Sequence, residues 1–98
     1  MSKLLILWEQ DMSKMPTGPD EQAALITKQI ELTRKALDEG RITDYGLFAG
    51  GDAGYAISEG TAMEAFGGAM QFSPYIKFKV HPVLSLDEVA EVMKSMMG

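Results

Sequence analysis

At 98 residues the chain has room for one domain with a single core, and not for separate catalytic and regulatory parts. With 46% hydrophobic and 23% charged residues it has the composition of a folded globular protein and not of a disordered tail. Fourteen acidic against nine basic residues leave a net charge of −5, which disfavours nucleic acid and anionic membrane surfaces as partners.

Residues 3-KLLILWE-9 are rich in leucine and isoleucine and run into a polar, Gly/Pro-punctuated loop over 10–19, which predicts a first strand. Their apolar run is too short for a signal segment or a membrane span, so the expectation is a soluble, cytoplasmic protein. Pro19, Asp20 and Glu21 supply a helix start. Ile26, Ile30, Thr33 and Leu37 form one stripe of that helix, and Gly40 suits its C′ position. The β-prone runs 41–49 and 55–59 flank 50-GGDAG-54, the composition of a tight hairpin turn. Thr61 and Glu64 make a T-x-x-E capping box for a second helix with Met63, Phe66, Gly67 and Met70 on its apolar stripe. That helix stops before Pro74, and the pair Gly67 and Gly68 predicts close packing on a neighbour or a bend. The fourth strand is 75-YIKFKVHPV-83, with Pro82 marking an edge. Ser85 and Glu88 form a second capping box ahead of Leu86, Val89, Met93 and Met96 in a C-terminal helix.

The order is βαββαβ followed by a helix, an α+β pattern of the split-βαβ or ferredoxin-like kind. It predicts a single domain over residues 1–98, with a four-stranded antiparallel sheet and both main helices on one face. A sheet wet on its other face would alternate apolar and polar residues. Only the fourth strand does so. In the first strand Leu5 and Leu7 oppose Leu4, Ile6 and Trp8; in the hairpin Ile42, Phe48, Tyr55 and Ile57 oppose Tyr45, Leu47, Ala49 and Ala56. Two apolar faces need two covers, which predicts a homodimer. The alternative is a monomer whose third helix folds back across the open face.

The strand 4-LLILWE-9, the hairpin 45-YGLFAGGDAGYAISEG-60 and the strand-to-helix run 74-PYIKFKVHPVLSLDEV-89 resemble the dimeric α+β barrel superfamily, among its small single-domain members. The resemblance spans nearly the whole chain and implies two ferredoxin-like subunits packed sheet against sheet around a cavity. The superfamily includes muconolactone isomerase-like enzymes, antibiotic-biosynthesis and haem-degrading monooxygenases, and YciI-like proteins. The His/Asp pair of the YciI-like proteins has no counterpart here, because the first half of the chain contains no histidine. Trp8 and His81 alone do not reproduce the monooxygenase Asn, Trp and His set. The resemblance therefore implies a fold and an assembly, and leaves activity open.

With no cysteine and one histidine, the sequence offers no disulfide, thiolate nucleophile or Cys/His zinc site, and no metal site is expected. No cofactor is expected either. His81 is the first candidate for acid or base work, with Tyr75, Lys77 and Lys79 on its face as a cluster suited to a carboxylate or enolate. The competing reading is a solvated strand edge guarded by lysines. Trp8 and Tyr45, placed on the open face, would wall a ligand pocket or fill a dimer core. Glu9 and Glu59 end neighbouring, oppositely running strands and make a poor carboxylate pair. The functional expectation is a small-molecule-binding or structural homodimer with a cavity between two sheets. The alternative is a cofactor-independent isomerase or monooxygenase-like enzyme using His81, so whether the chain is an enzyme stays open.

Overall fold

The computed structural model describes residues 3–98. The chain is α+β: a four-stranded antiparallel sheet and three helices. β1 (Lys3–Gln10) is followed by a single 3-10 turn (Met12–Lys14), α1 (Pro19–Asp38), β2 (Asp44–Leu47), β3 (Ala53–Ser58), α2 (Ala62–Met70), β4 (Ile76–Val83) and α3 (Leu86–Met97). The strand order is β2-β3-β1-β4, so β1 is central and β4 is an edge, where Pro82 costs no ladder bond on its solvent side. β1 pairs with β3 from Leu4↔Ser58 to Glu9↔Ala53, and with β4 from Lys3↔Val83 to Gln10↔Ile76.

Local chemistry sets most boundaries. α1 begins at Pro19 with Asp20 and Glu21 in its first turn, and is left through Gly40 at φ 75°. Both capping boxes form: the Thr61 and Ser85 hydroxyls accept from the backbone N–H of Glu64 and Glu88, whose carboxylates accept from the cap residues' own N–H groups. These hydrogen bonds hold both glutamates below the ordinary value of 4.5. In the hairpin, Phe48 N–H donates to the Ala53 carbonyl at 2.8 Å, and Gly51 and Asp52 take φ of 85° and 66°. Glycine and aspartate tolerate that left-handed backbone.

Three expectations need correction. β2 covers only Asp44–Leu47, because Ile42 leaves the ladder to pack on the core of Leu4, Ile6, Ala56 and Ala65. It therefore sits on the helix side, not with Tyr55 and Ile57. The inward stripe of α1 is turned back by one residue: Gln29 is its buried position, with Leu25, Leu32, Thr33 and Ala36 half-buried, while Ile26, Ile30 and Leu37 are exposed. Gly67 and Gly68 make no close approach, since a Cβ on either would meet nothing within 4 Å.

The two sheet faces differ. Leu4, Ile6 and Trp8 point to the helix side and are 3%, 7% and 9% exposed; Leu5 and Leu7 point to the open side and are half-buried. α3 does not fold back over that open side, for every residue from Leu84 to Gly98 is exposed. The radius of gyration is 16.3 Å and the long axis 62 Å. A compact chain of this length would have a radius of about 13 Å, so α3 stands away from the body.

Candidate functional site

The site grows from an alternation. On β1 the even residues Ile6, Trp8 and Gln10 face the helices; across the ladder Ala56 and Gly54 lie beside them, and Tyr45 lies beyond Ala56 on β2. Gly54 is opposite Trp8, and a Cβ there would collide with the Gly46 carbonyl oxygen and the indole. The glycine thus lets the indole lie flat across the sheet, where it stacks on Tyr45 with centroids 5.6 Å apart and planes 8° from parallel. The indole Nε1–H donates to the Tyr55 carbonyl at 3.3 Å, fixing the ring from its polar edge.

Above this aromatic floor lies a partly open cavity of about 830 Å³. Its roof is α1, through Ile26, Gln29, Ile30 and Thr33; α2 and the turn after it add Ala65, Gly68 and Phe72, and Phe78 closes the β4 side. The size is within the range of small-molecule sites, and the wall is mostly apolar, as such sites are. One polar pair is built into it. Gln10 Nε2 donates to Gln29 Oε1 at 2.6 Å, and the reverse contact is 3.4 Å. Each carboxamide oxygen has a second lone pair, and each NH₂ a second proton, to offer a ligand. The Thr33 hydroxyl is turned to the Gln29 carbonyl at 2.9 Å.

The mouth is acidic. Glu39, Asp52, Glu59 and Glu64 line the cavity and are exposed, against Arg41 as the single cation. Arg41 Nε is 2.9 Å from Glu39 Oε1, so its charge is already answered. The excess of carboxylates raises the cost of bringing an anion in. Burial pushes the Tyr45 phenol above its ordinary 10.0, which keeps it a neutral donor at physiological pH.

The residues singled out from the sequence divide between the two faces. Trp8 and Tyr45 come together, but in the helix-side cavity and not on the open face. Lys77, Lys79 and His81 are exposed in one row on the open face, opposite Glu9, Leu7 and Leu5 of β1. Tyr75 lies in the turn before β4, where its backbone carbonyl accepts from Asp11 N–H at 2.7 Å. None of these four lines the cavity. Glu9 and Glu59 fall at opposite ends of the β1–β3 ladder, as the antiparallel order requires. Sequence reasoning missed Gln10, Gln29 and Gly54. An amide in the polar loop boundary, an amide within an apolar helix stripe and a glycine beside a turn carry no mark of a site until the register brings them together.

Among the described residues no group of three or more His, Cys, Asp or Glu could hold a metal ion, and no helix is long and apolar enough to cross a membrane. No protein-family model matches the chain. No curated protein matches it either.

Proposed function

We propose that the chain is a cytoplasmic small-molecule-binding protein whose ligand occupies the cavity between the sheet and α1. The carrying observation is the cavity of about 830 Å³ floored by the stacked Trp8 and Tyr45. Protein interiors are close-packed, and here the roof of the space leaves Ile26 and Ile30 38% and 55% exposed. A bound molecule supplies the contacts those side chains lack. The stacked rings favour a planar apolar body, the Gln10–Gln29 carboxamides a polar group on it, and the acidic mouth a neutral or cationic one. An uncharged naphthylamine dye tests this: its fluorescence should rise and saturate at one dye per chain. Gly68→Trp, which fills the space from α2, should abolish the rise while leaving the far-ultraviolet spectrum unchanged. No saturable rise with the wild type would sink the proposal.

A ferredoxin-like subunit paired as in the dimeric α+β barrels accounts for the other face. Leu5, Leu7, Tyr55 and Ile57 lie side by side on it, and among the described residues no helix covers them. A standard interface buries about 800 Å² per partner, an area a four-stranded sheet face supplies. Light scattering at micromolar concentration should give twice the chain mass. In such a dimer the row of Lys77, Lys79 and His81 would border the interface, and this row is what supports the second reading, an acid–base enzyme using His81. That reading predicts that His81→Asn abolishes turnover without changing the assembly.

A further inference from the structure

α3 is a well-specified helix with no buried residue. Leu86, Val89, Val92, Met93, Met96 and Met97 fall within an arc of about 140° at 100° per residue, and each is at least 40% exposed. Asp87, Glu88, Glu91 and Lys94 occupy the other side. A helix of this length without a tertiary partner is marginal in water, yet this one carries a complete capping box at Ser85. Only Leu84 and Ser85 separate it from β4, and Ser85 is extended at ψ 165°. That hinge sends the helix outward, and short hinges favour exchange between copies.

We propose that α3 of each copy lies across the β1–β4 side of the open sheet face of a second copy, the two arms being exchanged about a two-fold axis. Charge selects this face over the other apolar surface of the molecule. The arm's polar flank is acidic at Asp87, Glu88 and Glu91, with Lys94 near its end. The open face carries Lys77, Lys79 and His81 along β4 and Lys3 on β1, against Glu9 opposite Lys77 and Asp44 on the far β2 edge, where Asp44 accepts from the Tyr55 hydroxyl at 2.8 Å. The cavity mouth is acidic and would repel the same flank. The apolar stripe of the arm meets Leu5 and Leu7, and the lysine row meets the acidic flank. This arrangement rests on the homodimer proposed above and divides its open face: the partner's α3 takes Leu5 and Leu7 on the β1–β4 side, and the partner's sheet is left with Tyr55 and Ile57 on the β2–β3 side.

The test uses full-length chains and one truncation, all compared by light scattering and sedimentation. Ending the chain at Leu84 should leave the body folded, since α3 contributes no buried residue, and should weaken dimerisation roughly 100-fold or more. Lys77→Glu with Lys79→Glu should weaken it as well, and adding Glu88→Lys with Glu91→Lys to the same chain should restore it. The chain has no cysteine, so a Leu7→Cys chain mixed with a Met93→Cys chain should give the mixed disulfide as its main product. A wild type that is monomeric at micromolar concentration overturns the homodimer and the arm exchange together. A wild-type dimer unchanged by the truncation, or a charge swap that fails to restore it, overturns the exchange alone.

Discussion

The two faces of the sheet are built from the same strand but finished differently. The even residues of β1, Leu4, Ile6 and Trp8, are buried under the chain's own helices; the odd ones, Leu5 and Leu7, are half-buried on the open side. Yet the covered face is the one with the hollow. α1 is tied to the sheet through the Gln10–Gln29 hydrogen bond while a cavity remains beside it, so burial of the strand and close packing of the helix are separate achievements here. The open face presents an apolar centre bordered by a lysine row. One face carries a hollow lined mostly by apolar side chains, and the other an apolar strip bordered by charge.

Truncating each face in turn should separate them. Leu4→Ala should cost about 3 kcal/mol in urea unfolding, the usual loss for a fully buried leucine. Leu5→Ala should cost about 1 kcal/mol at low protein concentration, where its half-exposed side chain has less to lose. Its cost should grow as concentration rises into the range where copies pair. Equal, concentration-independent losses would erase the distinction between the faces. Gly54→Ala sharpens the same comparison at the aromatic floor. The new methyl meets backbone as well as indole, so a loss of about 2 kcal/mol is expected, with a shift of Trp8 emission as the stack on Tyr45 is broken.

Smaller effects come from α2. Gly67→Ala places a methyl where it meets nothing, in a helical backbone, and should raise stability by about 1 kcal/mol. Gly68→Ala should give a similar gain and also narrow the cavity it lines. The smallest effect is the acid limb of stability set by the Glu64 cap. Its folded pKa lies below the ordinary 4.5, so the folded state binds its proton less readily than the unfolded chain does. The stabilisation is complete above that ordinary value and is lost as pH falls through the folded one. Glu64→Gln should flatten this part of the unfolding profile between about pH 5 and 3, and an unchanged slope would contradict the cap's role.

What was legible in the sequence was local. Both capping boxes, the Gly40 exit and the hairpin depend on residues a few positions apart, and they stand where the spacing put them. Alternation also sorted Leu4, Ile6 and Trp8 from Leu5 and Leu7 correctly. It could not say which set the helices cover, because a period of two assigns residues to a common face without naming it. That is why Trp8 and Tyr45 were expected on the open face and stand under α1. The rotation of α1 toward Gln29 was hidden for a similar reason. A stripe of Ile26, Ile30 and Leu37 is the more apolar choice, and only the amide of Gln10, nineteen residues away, makes its neighbour the better one.

The proposed ligand is planar, lies against Trp8 in the helix-side cavity, and is selected by charge. Trp8 is the only tryptophan, so its emission reports the site directly. One aromatic ring system, carried in turn as an amide, an ammonium and a carboxylate, should be titrated against the protein at neutral pH. The amide and the ammonium should quench saturably and bind at least about tenfold tighter than the carboxylate. Equal or tighter binding of the carboxylate, or no quenching by any of the three, would contradict the proposal.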